Sequence, residues 1–399
     1  MKALIGMLVA GALVTAVFGV WLRAQDDPPA SHIQAMLQHV PSEASAIESG
    51  WATVSFVDFD ALFESEGLSA IRALGNVELL MTSVPIGSIL GRIIAGPEAL
   101  TYVFPGTGEM TEAVGFEWLL DVDGSLEFGD PPNLGLLLGG DFDPDTIGTA
   151  LQSRGFELEE ADGIDVWHRF DDLAISIADR NLADPFGGHL GAAARIALLP
   201  DTLANARTWA LIEAIIAASH GTRPSLADDP AYRALAESIS APDGLLIQAL
   251  FFSGIALRLA EDPLDAIEEG LDDVEPLPYY SLAVLADRQE DDDQVALIAL
   301  ACPDEPTAQT ASDILVERLR VFRPPSRPGD DALADRFDAD ISVSEVKYIQ
   351  DGVAIAAVEA RYPLPDERRD PETGLYNTRG LLFRSWIQAI LYREFTPLW

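Results

Sequence analysis

The stretch from Leu134 to Ile177 constrains the fold most tightly. Leu134-Gly-Leu-Leu-Leu-Gly139 is a short apolar run bounded by glycines, the pattern of a buried strand. Asp143 is placed to cap a helix and Pro144 suits its first position, where a missing N–H costs nothing. Ile147, Ala150 and Leu151 recur at helical spacing and predict a helix over 144–154 with one face on a sheet. Gly155 suits the left-handed residue that ends it. Phe156 and Leu158 alternate with Glu157 and Glu159 as in a half-buried strand. Asp162-Gly163 turns the chain into Ile164–His168, and Asp171-Asp172 turns it into a third strand carrying Leu173, Ile175 and Ile177. The unit reads strand–helix–strand–strand–strand, with consecutive strands antiparallel.

Upstream, Met1-Lys2 precedes an uncharged run from Leu4 to Leu22, about 19 residues and long enough to span a bilayer. Residues 1–24 are therefore read as an export signal retained as an anchor, with the body outside the cytoplasm; cleavage near Leu22-Arg23-Ala24 would make the body secreted or periplasmic. Ile33, Met36, Leu37 and Val40 predict a short helix, and Trp51–Phe59 a strand followed by a helix capped by Asp60. Leu79–Ile94 is apolar but broken by Pro85, Gly87, Gly91 and Arg92. It predicts a buried helix pair or an exposed apolar flap, which would then be the best surface for a partner or lipid. Gly106 and Gly108 lack the third glycine of a dinucleotide fingerprint and read as a turn. The acidic cluster Asp121–Glu127 reads as a surface turn or helix start.

Downstream, Arg195–Leu199 is a strand, and 203–219 a helix begun near Asp201 and stopped by Gly221. Asp229-Pro230 repeats the capping device of Asp143-Pro144 before a helix to Ile239, and Gly244–Phe252 is an apolar strand. Pro263, Pro276 and Pro278, with acids between them, mark a boundary. Beyond it, Tyr280–Ala286 and Val295–Ala301 form a strand pair across an acidic turn at Asp287–Asp293. A helix with Ala308, Ala311, Leu315, Leu319 and Phe322 on one face follows. Next come a proline-rich loop and a hairpin, Ile341–Ile349 with Val353–Ala360, across Asp351-Gly352. Strand pair, helix, strand pair repeats the plan around Leu134. Residues 381–395 predict an amphipathic helix with Phe383, Ile387, Ile390 and Leu391 on one side, which docks on a sheet or, as the alternative, lies on a membrane surface.

With 65 acidic and 25 basic residues the formal charge is −40, and removing residues 1–24, with Lys2 and Arg23, makes it −42. Such a field repels nucleic acid and anionic headgroups and favours cations or basic partners. Cys302 alone excludes an intrachain disulfide and a multi-cysteine metal site, and reads as a buried structural thiol. No Gly-x-Ser-x-Gly elbow, His-Glu-x-x-His or Walker loop is present. The triplet Asp141, Asp143, Asp145 fails as an EF-hand loop, because the sixth and twelfth positions hold Thr146 and Gln152; from Asp121 they hold Leu126 and Pro132. His32, His39, His168, His189 and His220 are not paired at ligand spacing. His168 reads as a strand residue and His220 as a helix-closing one. No catalytic, cofactor-binding or metal-ligating residue is singled out, and no cofactor is expected.

Gly140-Asp-Phe-Asp-Pro144, Ala150-Leu151 with Gly155-Phe156, Gly163–Trp167 and Ser225-Leu-Ala-Asp-Asp-Pro-Ala-Tyr232 resemble a group of extracytoplasmic bacterial proteins that begin with a signal or anchor and carry a domain of unknown function. The resemblance covers residues 40–250, rests on caps and turns, and implies no catalytic residues. The expected fold is α+β. It has two related halves, 25–262 and 263–362, each a mainly antiparallel sheet covered by helices, followed by a C-terminal loop and amphipathic helix over 363–399. The expected role is non-enzymatic binding of a protein or small-molecule ligand in the cell envelope. The alternative is a carboxylate hydrolase, with or without a divalent cation.

Overall fold

The structure is a computed structural model that describes residues 31–45, 52–83, 89, 91–94, 96, 109–240, 244–253, 276–326, 330–344, 347–349, 352–365 and 378–398. The N-terminal segment 1–24, the Gly106/Gly108 pair and most of the Pro263–Pro278 boundary lie outside the described residues, as does Asp351 of the predicted hairpin turn. Among the described residues no helix is long and apolar enough to cross a membrane.

The protein is α+β, built on one large sheet. Its strands are β1 Ala52–Asp58, β2 Val122–Asp130, β3 Asn133–Gly140, β4 Glu157–Ala161, β5 Ile164–Arg169, β6 Ala194–Leu198, β7 Thr202–Ala206, β8 Leu245–Ser253, β9 Leu282–Glu290, β10 Asp293–Cys302, β11 Asp340–Val343, β12 Lys347–Ile349 and β13 Val353–Pro363. The order is β11-β13-β10-β9-β8-β1-β2-β3-β7-β6-β5-β4, with β12 also on β13. Every described pairing is antiparallel. Outward from the central β1–β8 pair, one wing reads β1, β2, β3, β7 and the other β8, β9, β10, β13.

Twelve helices are described: α1 His32–Leu37, α2 Phe59–Ser65, α3 Ser69–Arg72, α4 Val77–Ser83, α5 Met110–Val114, α6 Trp118–Asp121, α7 Pro144–Ser153, α8 Trp209–Ser219, α9 Pro230–Ile239, α10 Glu305–Val321, α11 Leu333–Phe337 and α12 Leu381–Leu391. Alternate strand residues explain how they are distributed. Val54 and Phe56 of β1, Leu137 of β3 and Leu297 and Ala299 of β10 share one core with α1, α8 and α9. On the opposite face, Leu136 and Leu138 of β3 pack with α2, α5, α6 and α7. On that same face Ile298 and Leu300 of β10 pack with α10, α11 and α12. With both faces covered, the central strands carry near-continuous apolar runs rather than a strict alternation.

The capping predictions hold locally. Asp143 accepts from the amides of Asp145 and Thr146, and Asp229 from those of Ala231 and Tyr232. Other expectations are corrected. Asp58, not Asp60, caps the helix after β1, and Asp60 lies in its first turn. The acidic stretch 121–127 is mostly the central strand β2, in which Leu126 and Phe128 pack in one core and Val122, beyond a bulge, in the core on the other face. The predicted helix over 203–219 begins as β7, buried between β3 and β6, and its helical part starts only after the cap Thr208. The third strand at Leu173–Ile177 does not form. Phe170 and Leu173 take left-handed backbone (φ +67° and +60°), β6 occupies the place beside β5, and Ile177 is 72% exposed. β4 is a sheet edge rather than half-buried, with Leu158 51% exposed. In α12 it is Trp386, not Leu391, that joins the buried face. The acidic turn at 287–293 shrinks to Asp291-Asp292, and Asp287 sits within β9.

Asp287 is fully buried and meets Arg92, also fully buried. The guanidinium is bidentate on the carboxylate, Nε to Oδ2 at 2.8 Å and Nη2 to Oδ1 at 2.9 Å. Gln248 of β8 donates to the Arg92 carbonyl (2.7 Å) and to Asp287 Oδ2 (3.1 Å), and accepts from the Ile94 amide. Arg92, read from sequence as an interruption, is thus the pin that holds the 89–94 segment to the sheet. Removing one partner of such a pair leaves a buried charge uncompensated. Arg92→Met is expected to lower unfolding free energy by about 3–5 kcal/mol in urea titrations, and Asp287→Leu added to it should recover part of the loss. An R92M variant as stable as the wild type would overturn the assignment.

Candidate functional site

The site grows from the start of α1. The Gln34 side chain accepts from the Ser31 amide (2.9 Å), tying down the first turn and so the position of His32. The imidazole lies across β2 and β3 where two glycines, Gly124 and Gly139, are paired in register. A Cβ at Gly124 would stand 2.4 Å from His32 Cε1, and one at Gly139 2.8 Å from Nε2. The glycines form the seat of the ring, which also packs edge-on against Phe56. Asp58, at the end of β1, holds it from one side. One carboxylate oxygen accepts from the Ala61 amide (2.8 Å), and the other lies 3.3 Å from His32 Nδ1.

Two more carboxylates converge nearby. Arg72 of α3 ion-pairs with both Asp60 and Asp123, and its Nη2 and Nε also donate to the carbonyls of Val122 (2.8 Å) and Leu119 (3.0 Å). Burial, then the Asp60 carboxylate, hold the Asp123 carboxyl above its ordinary range despite Arg72. Burial disfavours the His32 imidazolium. The Asp58 hydrogen bond and charge, with Asp123 and Asp60 behind it, outweigh that effect and hold the pKa above its ordinary 6.5.

These groups line a cleft of about 1020 Å³ whose walls include His32, His39, Asp60, Asp123, Asp141 and His220. On its far side His39 Nδ1 lies 2.8 Å from the Ser219 hydroxyl, which donates to the Ile215 carbonyl at 2.8 Å. With the hydroxyl proton so placed, His39 Nδ1–H donates to Ser219, and the pair locks α1 to the end of α8. Burial depresses His39 against the pull of Asp201 and favours the neutral ring.

The structure brings together residues the sequence kept apart. Of the five histidines, His32, His39 and His220 reach this cleft. His168 stays on β5 beside Glu159 and Trp209, and His189 is buried elsewhere. Asp141 lines the cleft, whereas Asp143 serves as a cap. Cys302 is buried at the end of β10, where burial pushes its thiol up to about 12 and keeps it protonated. Sequence reasoning missed Asp58 and the glycine seat. The available signal was a glycine inside each of two adjacent strands, which marks close approach of another group. Among the described residues no group of three His, Cys, Asp or Glu is arranged to hold a metal ion.

No known family description matches the chain, and no curated protein does. Among solved structures, crystal form III of TP0453 aligns at 10% identity over 82% of this chain and 93% of that one, with a TM-score of 0.33. Crystal form IV of the same protein aligns at 11% identity over 81% and 92%, with a TM-score of 0.35. Similarity at that level carries no argument about function.

Two outcomes test the site. Gly124→Ala must expel the imidazole or part the strands, and is expected to cost about 1–3 kcal/mol in equilibrium unfolding; His32→Ala should relieve most of that in the double variant. The raised His32 pKa stabilises the fold fully below its unfolded value of 6.5, and that contribution is lost as pH rises through the higher folded value. The stability difference between wild type and His32→Gln should therefore be largest near pH 5 and shrink towards about pH 9 in urea titrations. A difference that grows with pH would contradict the assignment.

Proposed function

We propose that this chain is an extracytoplasmic ligand-binding protein of the cell envelope, carried there by its apolar N-terminal segment, and that it binds without catalysing a reaction. The carrying observation is the cleft itself. It is large enough for a small molecule and walled by polar side chains already committed to internal partners, His32 to Asp58 and Ser219 to Ile215. Asp60, Asp123 and Asp141 give it a negative lining, in keeping with the charge of the whole chain, so the ligand class is a small cation or an amine-bearing molecule. If the N-terminal segment is retained, the body stands on the membrane; if it is cleaved, the body is periplasmic or secreted.

The proposal includes two related halves. Supporting it, three-strand meanders β1–β2–β3 and β8–β9–β10 are each followed by an Asp-capped helix, α7 or α10, and a later strand returns beside the third, β7 or β13. In this reading the second unit opens at β8, earlier than the boundary at 263 expected from the sequence, and the central β1–β8 pairing joins the two.

A second reading, a hydrolase using carboxylates, is favoured by one observation. Burial, then the neighbouring Asp60 carboxylate, raise the Asp123 pKa beside His32, in the direction a general acid requires.

Thermal unfolding of the full-length protein in mild detergent, at constant ionic strength, tests both readings. The panel is calcium, magnesium, zinc and the diamine putrescine. A native-state ligand raises Tm by mass action. One selective, saturable stabiliser, abolished in Asp60→Asn/Asp123→Asn, is the expected result. The same small shift with every cation would mean charge screening and sink the binding site. Turnover of ester or glycoside substrates that the double variant loses would move the assignment to the second reading.

A further inference from the structure

A second cleft, of about 840 Å³, opens at the far end of β5 and mixes arginines with carboxylates. Three arginines, Arg154, Arg169 and Arg195, line it together with His168 and Trp209. Two of the three are spoken for. Arg154 donates to the Ala113 carbonyl (3.0 Å) and pairs with buried Asp184 (2.6 Å). Arg195 pairs with Asp172 (2.8 Å), donates to the Phe170 carbonyl (2.8 Å) and lies over the Trp209 ring.

Arg169 is different. Its guanidinium makes no hydrogen bond or ion pair among the described residues; like that of Arg195, its Nε is buried without an acceptor, but Arg195 has partners on its Nη atoms and Arg169 has none. It lies 4.9 Å from the Phe156 ring centroid and 4.7 Å from that of Phe170. Phe170 holds its place with φ at +67°, a backbone conformation that side chains other than glycine rarely adopt. The carboxylates on the cleft wall are Glu157, Asp171, Asp172 and Asp179. Asp172 is taken by Arg195 and the Trp209 amide, and Asp179 accepts from the Ser176 hydroxyl. In a chain where acids outnumber bases 65 to 25, a half-buried guanidinium held over aromatic rings without a carboxylate on its donor edge is a site prepared for an anion from outside.

We infer that Arg169 is the anchoring residue of an oxyanion-binding site, taking the carboxylate or phosphate group of a small soluble ligand on its free donor edge, with Trp209 and His168 as the wall for the rest of the molecule. Planar guanidinium donors match both groups bidentately, and the stacked rings fix the plane of the fork. Burial, then the neighbouring Arg154, disfavour the Arg169 charge more than Asp184 and Asp179 favour it, and a bound anion offsets both. The site is independent of the acidic cleft, which reaches β5 at its other end, through Ile164.

The test is calorimetric titration of the full-length protein with inorganic phosphate, acetate and phenyl phosphate at matched ionic strength, on wild type, Arg169→Gln, Arg169→Lys and the surface control Arg223→Gln. Saturable binding of at least one anion is expected, with R223Q unchanged and R169Q weakened by about tenfold to a hundredfold, the loss of one charge-assisted interaction. R169K should fall between wild type and R169Q. Phenyl phosphate binding more tightly than phosphate would mean the wall contributes and the ligand is organic; equal affinities would mean a free anion. Should R169Q fail to fold, the Arg169 Nε–H resonance of the wild type, identified by its absence in R169K, must shift with anion in a saturable way. No saturable binding of any of the three anions, or equal affinity in wild type and a folded R169Q, overturns the inference.

Discussion

The bidentate pair between Arg92 and Asp287 is the interaction on which the centre of the molecule depends. A carboxylate in the middle of a buried strand is costly unless a cation and hydrogen bonds compensate it. Here the cation comes from a segment nearly two hundred residues away in sequence, and Gln248 on the neighbouring strand completes the set. Around it, Arg379 bonds the Ser65 carbonyl, the Gly380 amide donates to Gln294, and Arg384 donates to the Gly91 carbonyl. The start of α12, the 89–94 segment and the end of α2 are thereby tied to one point on β8–β10. None of these segments has a strand partner to hold it, so the polar cluster does what pairing does elsewhere in the sheet.

The two clefts follow from the same economy of charge. Acids so outnumber bases that many of the described guanidiniums are drawn into pairs. Arg72 bridges Asp60 and Asp123, and Arg288 and Arg361 meet Glu290 and Glu359. Where carboxylates converge in excess, as around His32, pKa values of acid and base both rise. Arg169, by contrast, lies over aromatic rings without an ion pair or hydrogen bond among the described residues. The sheet sets both places, because β5 runs between them, with Ile164 at one cleft and Arg169 at the other.

What could be read in advance was local. Asp143-Pro144 and Asp229-Pro230 announce helix starts because the cap needs only residues two and three positions on. Gly155 and Gly221 mark helix ends by the left-handed backbone they adopt. The errors share a cause as well. Asp60 and Asp201 looked like caps, and 121–127 and 287–293 looked like turns, because acids near glycine or helix formers are normally solvated. Asp60 yielded to Asp58, two residues earlier; the others yielded to distant partners, β1 and β3 on either side of β2, β3 and β6 around β7, and Arg92 opposite Asp287. Leu173, Ile175 and Ile177 had the alternation of a strand but no free edge to join, since β6 had taken it.

By itself, then, the order of residues determined the α+β class, the antiparallel hairpins, the capped helices and the acidic character of the chain, all of which depend on neighbours within a few positions. The tertiary structure alone decided that the strands close into one continuous sheet. It also decided that His32 rests on Gly124 and Gly139, and that Arg169 is left without a carboxylate. Those facts rest on which segments meet across the sheet. Pairings of that kind are selected by burial and charge compensation summed over the whole fold, and no short stretch of sequence encodes that sum.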